Sequence, residues 1–463
     1  IVEANKPIRK TLRPCPEESK NWDTTENLYI EGDNLEVLKL LQEAYLGKVK
    51  MIYIDPPYNT GHDFIYNDRF EMDKQEYDQQ IGLFDEEGNK QFAENSESNP
   101  RFHSDWCSMM YPRLMLARNM LADDGVIFIS IDDYEIENMR KMSDEVFGGQ
   151  NFVGTIIWER AFSPKNDAKY FSPNHDYIVV YTKELSKFNI GKLPRTQEMN
   201  ERYKNPDNDP NGPWQSGDLT AKTYSADYDY PIKTPSGKIV TPTSGRSWIT
   251  SREKMQQWID EGRIWFGANG DNTPRYKRYL NDMTDGIVPV TLWKYEDVGH
   301  SQEGRQELKK LFDGEGYFDG PKPIRLLNRM LRIANLKTDS IILDFFSGSA
   351  TTAHAVMQFN AEDDGHRKFI MVQWPEICDG KSAACKAGYK NICEIGKERI
   401  RRAGEKIKEE SPMTTQDLDV GFRVLKLDDT NMEDVYYSAQ EYDQGMLQHM
   451  ESNIKPDRTD LDL

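Results

Sequence analysis

The chain has 463 residues, enough for two or three domains with cores of their own, and its 78 Asp and Glu outnumber 59 Lys and Arg for a formal charge of −19. No apolar stretch approaches the length of a membrane span, and the N-terminus lacks a secretory pattern, so we predict no membrane association. The five cysteines and seven histidines show no metal-ligand spacing, which predicts no metal site and free thiols in a reducing cytoplasm.

Short apolar strands and amphipathic helices alternate through the first part of the chain, after a polar and charged arm at residues 1–27. The predicted strands are 27–31, 49–54 and 125–132, followed by an antiparallel pair at 152–158 and 177–181. The turn Gly32-Asp33-Asn34 opens one predicted helix, and residues 106–121 form another. The polar, acidic segment 61–104 is predicted to be a mobile loop.

Residues 185–290 are different in character, being rich in Asn, Asp, Pro, Gly, Trp and Tyr and lacking any long periodic segment. Core-type patterns resume with a helix at 323–335 and strands at 340–346 and 368–374. This alternation predicts an α/β fold with a doubly wound, mostly parallel sheet. We divide the chain into the arm (1–27), two halves of one α/β domain (28–184 and 291–410), an inserted domain (185–290) and a C-terminal segment (411–463).

The most informative motif is Asp55-Pro56-Pro57-Tyr58, which directly follows the apolar run 49–54. The prolines end the strand and supply backbone carbonyls without a competing N–H. A carboxylate, such carbonyls and an aromatic face together suit a planar base that bears an exocyclic amine. The same residues also fit a plain strand followed by a proline turn, with Asp55 as a cap.

A second motif runs from Ser340 to Thr352 and reads as a strand, a turn of small residues and the start of a helix. Small residues let a ligand approach the backbone, and a helix N-terminus exposes free N–H groups. Taken alone, this pattern fits an ordinary tight β–α connection equally well.

Together, the two motifs resemble those of amino-methylating DNA methyltransferases, and Asp in first place resembles the adenine-N6 enzymes. Because the catalytic motif precedes the cofactor motif, the order resembles the β class, which implies a circularly permuted, Rossmann-like methyltransferase sheet with an inserted target-recognition domain. The segments Tyr58 to Gly61, Lys204 to Tyr230, Asp344 to Thr352 and Glu394 to Arg402 further resemble the modification subunit of type III restriction-modification systems. That resemblance implies double-stranded DNA as substrate, a homodimer and an ATP-dependent nuclease partner.

The chemistry of such an enzyme explains the residue types in the first motif. The N6 lone pair of adenine is delocalised into the ring, so the amine is a poor nucleophile. If the Asp55 carboxylate and the Pro56 carbonyl each accept one N–H, the nitrogen becomes tetrahedral and can attack a sulfonium methyl held in line. Pro57 fixes the turn, and Tyr58 would stack on a base that has left the duplex.

The resemblance also implies which residues hold the cofactor, S-adenosylmethionine. They are Asp33, Asn34, Lys322, Asp344, Phe345, Phe346, Gly348, Ser349, Thr351 and Gln373. Two positions depart from the family pattern. Ala350 replaces a second turn glycine, and Gln373 stands where an acidic residue usually binds the ribose, with Glu376 as the other candidate.

The inserted domain is the segment that we expect to read DNA. Residues 185–290 carry 15 Lys and Arg against 13 Asp and Glu, a balance of +2 that leaves −21 for the rest of the chain. The candidate contacts are Arg246, Arg252, Arg275, Lys277 and Arg278, among which Arg can read bases while Lys mostly binds phosphate. Solvated cations and tryptophans that form a small core are the alternative interpretation.

Three other functions remain open from the sequence. Cytosine-N4 methylation uses nearly the same chemistry, but that family more often has Ser at the position of Asp55. Protein-glutamine methylation typically has Asn there and lacks a large inserted domain. A target-recognition subunit for a partner nuclease, without catalysis, would not need the intact motif from Asp55 to Tyr58. We also expect segment 61–104 to become ordered only on DNA.

Overall fold

The computed structural model describes residues 2–61, 64–65, 93–94, 99–164, 168–283, 286–432 and 454–462. The predicted mobile loop at 61–104 lies mostly outside these residues. The described part of the chain divides into two compact units, one formed by Ile1–Gly191 and Val290–Leu463 and the other by Lys192–Pro289. No described helix has both the length and the apolar character needed to cross a bilayer.

The strands are β1 (Lys10–Pro14), β2 (Leu28–Glu31), β3 (Val49–Ile54), β4 (Phe64–Ile65), β5 (Ala93–Glu94), β6 (Leu121–Ile131), β7 (Phe152–Glu159), β8 (His175–Thr182), β9 (Trp214–Gly217), β10 (Thr220–Ala221), β11 (Ile232–Lys233), β12 (Ile239–Val240), β13 (Ser247–Trp248), β14 (Ile264–Trp265), β15 (Arg275–Tyr279), β16 (Leu292–Trp293), β17 (Ile341–Asp344), β18 (Lys368–Gln373) and β19 (Arg423–Asp429). The helices are α1 (Val2–Asn5), α2 (Asn34–Tyr45), α3 (Phe102–Met120), α4 (Ile136–Ser143), α5 (Gln197–Glu201), α6 (Arg252–Asp260), α7 (Tyr295–Val298), α8 (Ser301–Leu311), α9 (Ile324–Ile333), α10 (Thr351–Asp363), α11 (Ala383–Lys386) and α12 (Ile392–Glu410).

A ten-stranded sheet forms the centre of the first unit, in the order β1-β19-β2-β18-β17-β3-β6-β8-β7-β16. The six strands from β19 to β6 run parallel to one another. The predicted antiparallel pair, β7 and β8, is present and continues the sheet beyond β6. The structure therefore confirms the α/β fold with a large, mostly parallel sheet and flanking helices.

Two strands extend the other side of this sheet from segments to which the sequence analysis gave no strand. β1 comes from the N-terminal arm and β19 from the C-terminal segment, and they pair antiparallel. β19 also pairs in parallel with β2. The two ends of the described chain therefore contribute to the same sheet as the two motifs.

Strand β3 is buried at all six positions because it lies in the middle of the sheet with helices packed on it. The main core joins residues of β3, β6 and β17 to the apolar faces of α2, α3 and α4. This arrangement explains why β3 is apolar on both faces, with Lys50 as its one charged residue, rather than alternating. It also holds the residue after β3 in a rigid frame.

The second unit is small and has a core of its own. Its largest sheet has the order β14-β15-β9, and two further strand pairs, β10-β13 and β11-β12, accompany it. The core residues are Leu219, Tyr230, Ile232, Val240, Trp248, Met255, Ile264 and Phe266. Short strands and many turns agree with the Pro- and Gly-rich composition of this segment.

Candidate active site

The two motifs meet at the carboxyl edge of the large sheet. Asp55 directly follows β3 and Asp344 ends β17, and these strands are hydrogen-bonded neighbours with Leu343 opposite Ile52. Adjacent strands lie about 5 Å apart, so residues at the same edge come close together. Ligands of open α/β sheets bind in crevices at this edge. The parallel topology thus brings together two segments that are far apart in the sequence.

The Asp55 carboxylate is held through both of its oxygens. Tyr58 donates its hydroxyl hydrogen to Oδ1 at 3.0 Å, and Lys322 Nζ lies 2.5 Å from Oδ2. The same ammonium is 5.2 Å from the centroid of the Tyr58 ring and 5.9 Å from that of Trp158. Lys322 was expected beside the cofactor, and the structure places it directly on the carboxylate of the first motif.

The backbone after Asp55 is fixed by three side chains that the sequence analysis did not single out. Trp106 donates its indole N–H to the carbonyl of Pro57 at 2.8 Å, and Pro56 is buried. Asn59 has a left-handed φ of 61° and donates to the buried Glu135 carboxylate at 2.6 Å. His103 shares that same Glu135 oxygen at 2.6 Å. The motif is therefore braced from α3 and from the start of α4.

A second carboxylate, Asp176 on β8, is buried near Asp55. It forms an ion pair with Arg160 at 2.8 Å and is only 4% exposed. Burial raises the pKa of Asp176 to about 6, while the charges of Lys322 and Arg160 oppose that rise and the charge of Asp55 adds to it. Its only signal in the sequence was a polar residue at the start of an apolar strand.

The second motif forms a tight turn around Asp344. Thr352 donates its hydroxyl hydrogen to one oxygen of this carboxylate at 2.6 Å, and the backbone N–H of Phe346 donates to the other at 3.1 Å. Burial raises the pKa of Asp344 to about 7, and these hydrogen bonds oppose the rise. Gly348 has a φ of 50°, which favours glycine, and its N–H donates to Gln373 Oε1 at 2.7 Å.

Several predicted cofactor residues have side chains committed to the frame of the site. Ser349 and Thr351 each accept a hydrogen bond from the buried Arg399 guanidinium of α12, at 2.9 and 2.6 Å. Burial lowers the pKa of Arg399 to about 10, which still leaves it charged at neutral pH. Phe345 and Phe346 are both buried in the turn. The hydroxyl groups of Ser349 and Thr351 therefore help to hold Arg399 against the turn.

Asp33 and Asn34 join α2 to the second motif. Asp33 caps α2 by accepting the N–H groups of Leu35 and Glu36, which lie at 3.0 and 3.1 Å. Asn34 donates to the Phe345 carbonyl at 2.7 Å and accepts from the buried Arg113 at 2.5 Å. Of the two side chains, that of Asp33 keeps partial exposure at this edge.

The residues at this edge fit S-adenosylmethionine chemically. The cofactor carries a sulfonium and an α-ammonium, both of which favour nearby carboxylates such as Asp33 and Asp344. A Cβ on Gly348 would lie 3.1 Å from the Phe318 ring, so the glycine lets the turn pack closely. Gln373 turns its amide oxygen toward the backbone, and Glu376 is half-buried with its pKa raised by burial. No cluster of three or more metal-ligating side chains occurs among the described residues.

The five candidate DNA contacts lie in the second unit. Four of them are arginines that are exposed or half-buried. Arg252, Arg275 and Arg278 are exposed, and Arg246 is half-buried with a bond of 3.2 Å to Thr220. The structure contradicts the DNA contact that the sequence analysis predicted for Lys277. It is 5% exposed and its ammonium lies 2.5 Å from carboxylate oxygens of both Asp207 and Asp209.

Lys277 therefore has a structural role, since its charge is already neutralised inside the unit and is not free for phosphate. Its ammonium also lies 5.5 Å from the centroid of the Trp214 ring and 5.9 Å from that of Trp265. Trp214 and Trp248 are buried, as expected if the tryptophans form the core of a small domain.

The chain is similar to known DNA methyltransferases. The sequence profile of the family described as DNA methylase matches residues 49–403. The StyLTI Mod subunit, from a type III restriction-modification enzyme of Salmonella typhimurium, is 39% identical over 88% of this chain and 60% of its own length. The EcoPI Mod subunit of Escherichia phage P1 is 34% identical over 88% of this chain and 66% of its own length.

A shorter relative is matched more completely. The type II methyltransferase M.KpnI of Klebsiella pneumoniae is 29% identical over 81% of this chain and 87% of its own length. The chain thus spans 60% and 66% of the two Mod subunits but most of the type II methyltransferase.

Proposed function

Because this chain belongs to the DNA methylase family, we propose that it transfers a methyl group from S-adenosylmethionine to N6 of adenine in double-stranded DNA. The observation that carries this proposal is the adjacency of the two motifs. Asp55 and Tyr58 follow β3, and the turn after Asp344 follows the neighbouring strand β17. An amine held by the first motif and a methyl donor held by the second would share one crevice.

In this proposal, Asp55 and Pro56 activate the amine. Each accepts one N–H of the flipped adenine, which localises the nitrogen lone pair and directs it at the donor. The cofactor supplies an electrophilic methyl group when bound. Burial and the neighbouring Asp55 carboxylate raise the pKa of Tyr58 well above its ordinary value, so its phenol stays protonated and can keep Asp55 oriented.

Lys322 would act on the base through Asp55. Its ammonium occupies the Oδ2 side of the carboxylate, as Tyr58 occupies the Oδ1 side. A carboxylate oxygen has more than one lone pair, so each oxygen can still accept from an incoming amine. We assign Lys322 as a positioning residue that keeps the Asp55 carboxylate aligned before the base arrives.

The cofactor would lie along the turn from Asp344 to Thr351. We propose that Phe346, Gly348 and the backbone of the turn would contact it, that Asp33 would also help to hold it, and that Gln373 or Glu376 would bind its ribose. Asp344 would offset the positive charge of the cofactor. Phe345 and Asn34 would support the turn from behind, since their contacts are with one another and with buried neighbours.

The recognition role belongs, in this proposal, to the second unit. Exposed Arg252, Arg275 and Arg278, with Arg246, would contact bases and phosphates. The likeness to two Mod subunits supports a place in a type III restriction-modification system. We further propose a homodimer, an ATP-dependent nuclease as partner and the cytoplasm as location. Cytosine N4 is the alternative acceptor, and the aspartate at position 55 favours adenine.

The test is methyl transfer by Asp55→Ala and Asp55→Asn, with the exposed Asp339→Ala as matched control. We expect both Asp55 variants to lose transfer at least a hundredfold while binding of cofactor and of DNA stays within a few fold. Asp55→Asn avoids leaving Lys322 with no acceptor. Mass spectrometry of the product nucleosides identifies N6-methyladenine or N4-methylcytosine. Undiminished transfer by both variants would refute the mechanism.

A further inference from the structure

Two adjacent aromatic side chains in the β7–β8 connection are almost fully in solvent. Tyr170 is 83% exposed and Phe171 is 94% exposed. Isolated exposed apolar residues are ordinary, but a contiguous apolar surface usually marks an interaction site. A third ring of this connection, Phe162, is about half exposed. Its ring centroid lies 5.4 Å from that of Tyr295 and 5.3 Å from that of His300.

The connection rises from the same sheet edge as the active site. β7 and β8 pair with Trp158 opposite Asp176, and the backbone N–H of Ala161 donates to the Asn174 carbonyl at 3.2 Å. Lys322, which binds Asp55, lies 5.9 Å from the ring centroid of Trp158. Phe171 precedes Asp176 by five residues, so at most about 17 Å of chain separates them. The rings therefore lie on a connection that begins and ends at the sheet edge that would hold a flipped base.

The charge of the connection points to a polyanionic partner. Residues 160–174 contain Arg160, Lys165 and Lys169 against Asp167, a balance of +2 in a chain of net charge −19. Lys169 Nζ lies 5.3 Å from the centroid of the Tyr170 ring. Aromatic faces combined with cations are the equipment with which proteins contact unstacked nucleic-acid bases. An apolar protein partner would not need these cations.

We propose that Tyr170 and Phe171 enter the DNA duplex at the target step and fill the space that the flipped base leaves, while Lys169 binds an adjacent phosphate. The inference rests on the proposed function. Rings inserted into a duplex replace the stacking that the extruded base loses, so they stabilise the open state. The aromatic pair would thus act on extrusion of the base and leave methyl transfer to the extruded base unchanged.

The experiment separates these two steps by the choice of substrate. The target sequence is first mapped from modified DNA of cells expressing the chain. Methylation is then measured on a duplex with the target base paired and on one with an abasic site opposite it, where extrusion is already easy. Phe171→Ala, Tyr170→Ala and the double variant are compared with wild type, and Phe171→Trp tests whether another ring restores function. The exposed Met413→Ala is the matched control.

We expect the alanine variants to lose at least tenfold on the paired duplex and to stay within twofold of wild type on the abasic one. Fluorescence of 2-aminopurine at the target should fall in parallel, and Phe171→Trp should restore both. Equal losses on the two duplexes, or no loss on either, would overturn the assignment. If wild type methylates neither duplex, the proposed function falls and this inference with it. If all variants methylate both duplexes normally, only the inference falls.

Discussion

Replacing Asp344 by Asn should stabilise the protein at neutral and alkaline pH. Burial raises the pKa of Asp344 from 3.8 to about 7 in the folded state. When folding raises the pKa of a carboxyl group, the group's favourable contribution to stability is complete below the pKa of the unfolded state. That contribution is lost as pH rises through the pKa of the folded state. At about 1.4 kcal/mol per pKa unit, the charged carboxylate costs the folded state about 4 kcal/mol at pH 8. Asn is neutral throughout and avoids this cost.

The hydrogen bonds of Asp344 can survive the substitution. In the wild type, the Thr352 hydroxyl and the Phe346 N–H both donate to Asp344. In the variant, the amide oxygen can still accept the Phe346 N–H, and the amide NH₂ can donate to the hydroxyl oxygen of Thr352. The advantage of Asp344→Asn over wild type should therefore be below about 1 kcal/mol at pH 4 and approach about 4 kcal/mol at pH 8. Other titrating groups are common to both proteins and cancel in this difference.

Urea unfolding between pH 4 and pH 8 measures this difference directly. Wild type, Asp344→Asn and the exposed control Asp339→Asn are compared at each pH, with the midpoint and slope read from the same transitions. The control should follow wild type. If Asp344→Asn is less stable than wild type by the same amount at every pH, ionisation of the buried Asp344 carboxyl does not lower the free energy of unfolding. That result would refute the prediction.

Two further substitutions test charge pairs. Lys322→Met should lower the free energy of unfolding by roughly 1–3 kcal/mol and reduce methyl transfer at least tenfold, because it leaves the Asp55 carboxylate without its cation; transfer at the wild-type rate would exclude a positioning role. In the second unit, Lys277→Gln should destabilise by roughly 3 kcal/mol since it exposes Asp207 and Asp209 to mutual repulsion. Arg278→Gln should leave stability unchanged and reduce the salt dependence of DNA binding by about one phosphate contact, which filter binding at several salt concentrations would check.

The sequence predicted elements well where local pattern and global fold agree. β3 is found at 49–54 as predicted, because a short, mostly apolar run with β-branched residues that ends before two prolines favours a buried strand. A parallel sheet predicts that Asp55 and Asp344, which both follow or end strands, lie at the same edge. That β3 and β17 are neighbours is shown by the structure and agrees with the family resemblance. The shared edge is a consequence of chain direction and does not depend on the details of side-chain packing.

Side-chain partners across the sheet were beyond such reasoning. Nothing in the order of residues says that Lys322 lies on Asp55 or that Lys277 is buried between two aspartates. In sequence, Lys322 was expected beside the cofactor and Lys277 on DNA, and only their neighbours in space reveal their partners. β1 and β19 were missed for a related reason, since β1 is half-buried along its length and neither strand has the apolar content of a central strand.

Three acidic side chains lie close together at the carboxyl edge of the sheet, and they differ in the groups that neutralise them. Asp55, Asp176 and Asp344 all lie there, and burial raises the pKa of Asp176 and of Asp344. Burying carboxylates in this way costs stability in the free protein, and raised carboxyl pKa values of this kind cluster at functional sites. Lys322 supplies a cation to Asp55, and Arg160 supplies one to Asp176. Asp344 accepts hydrogen bonds from the Thr352 hydroxyl and the Phe346 N–H, and the charge of Lys322 opposes the rise in its pKa. In the function that we propose, the Asp344 carboxylate would also offset the positive charge of the bound sulfonium cofactor.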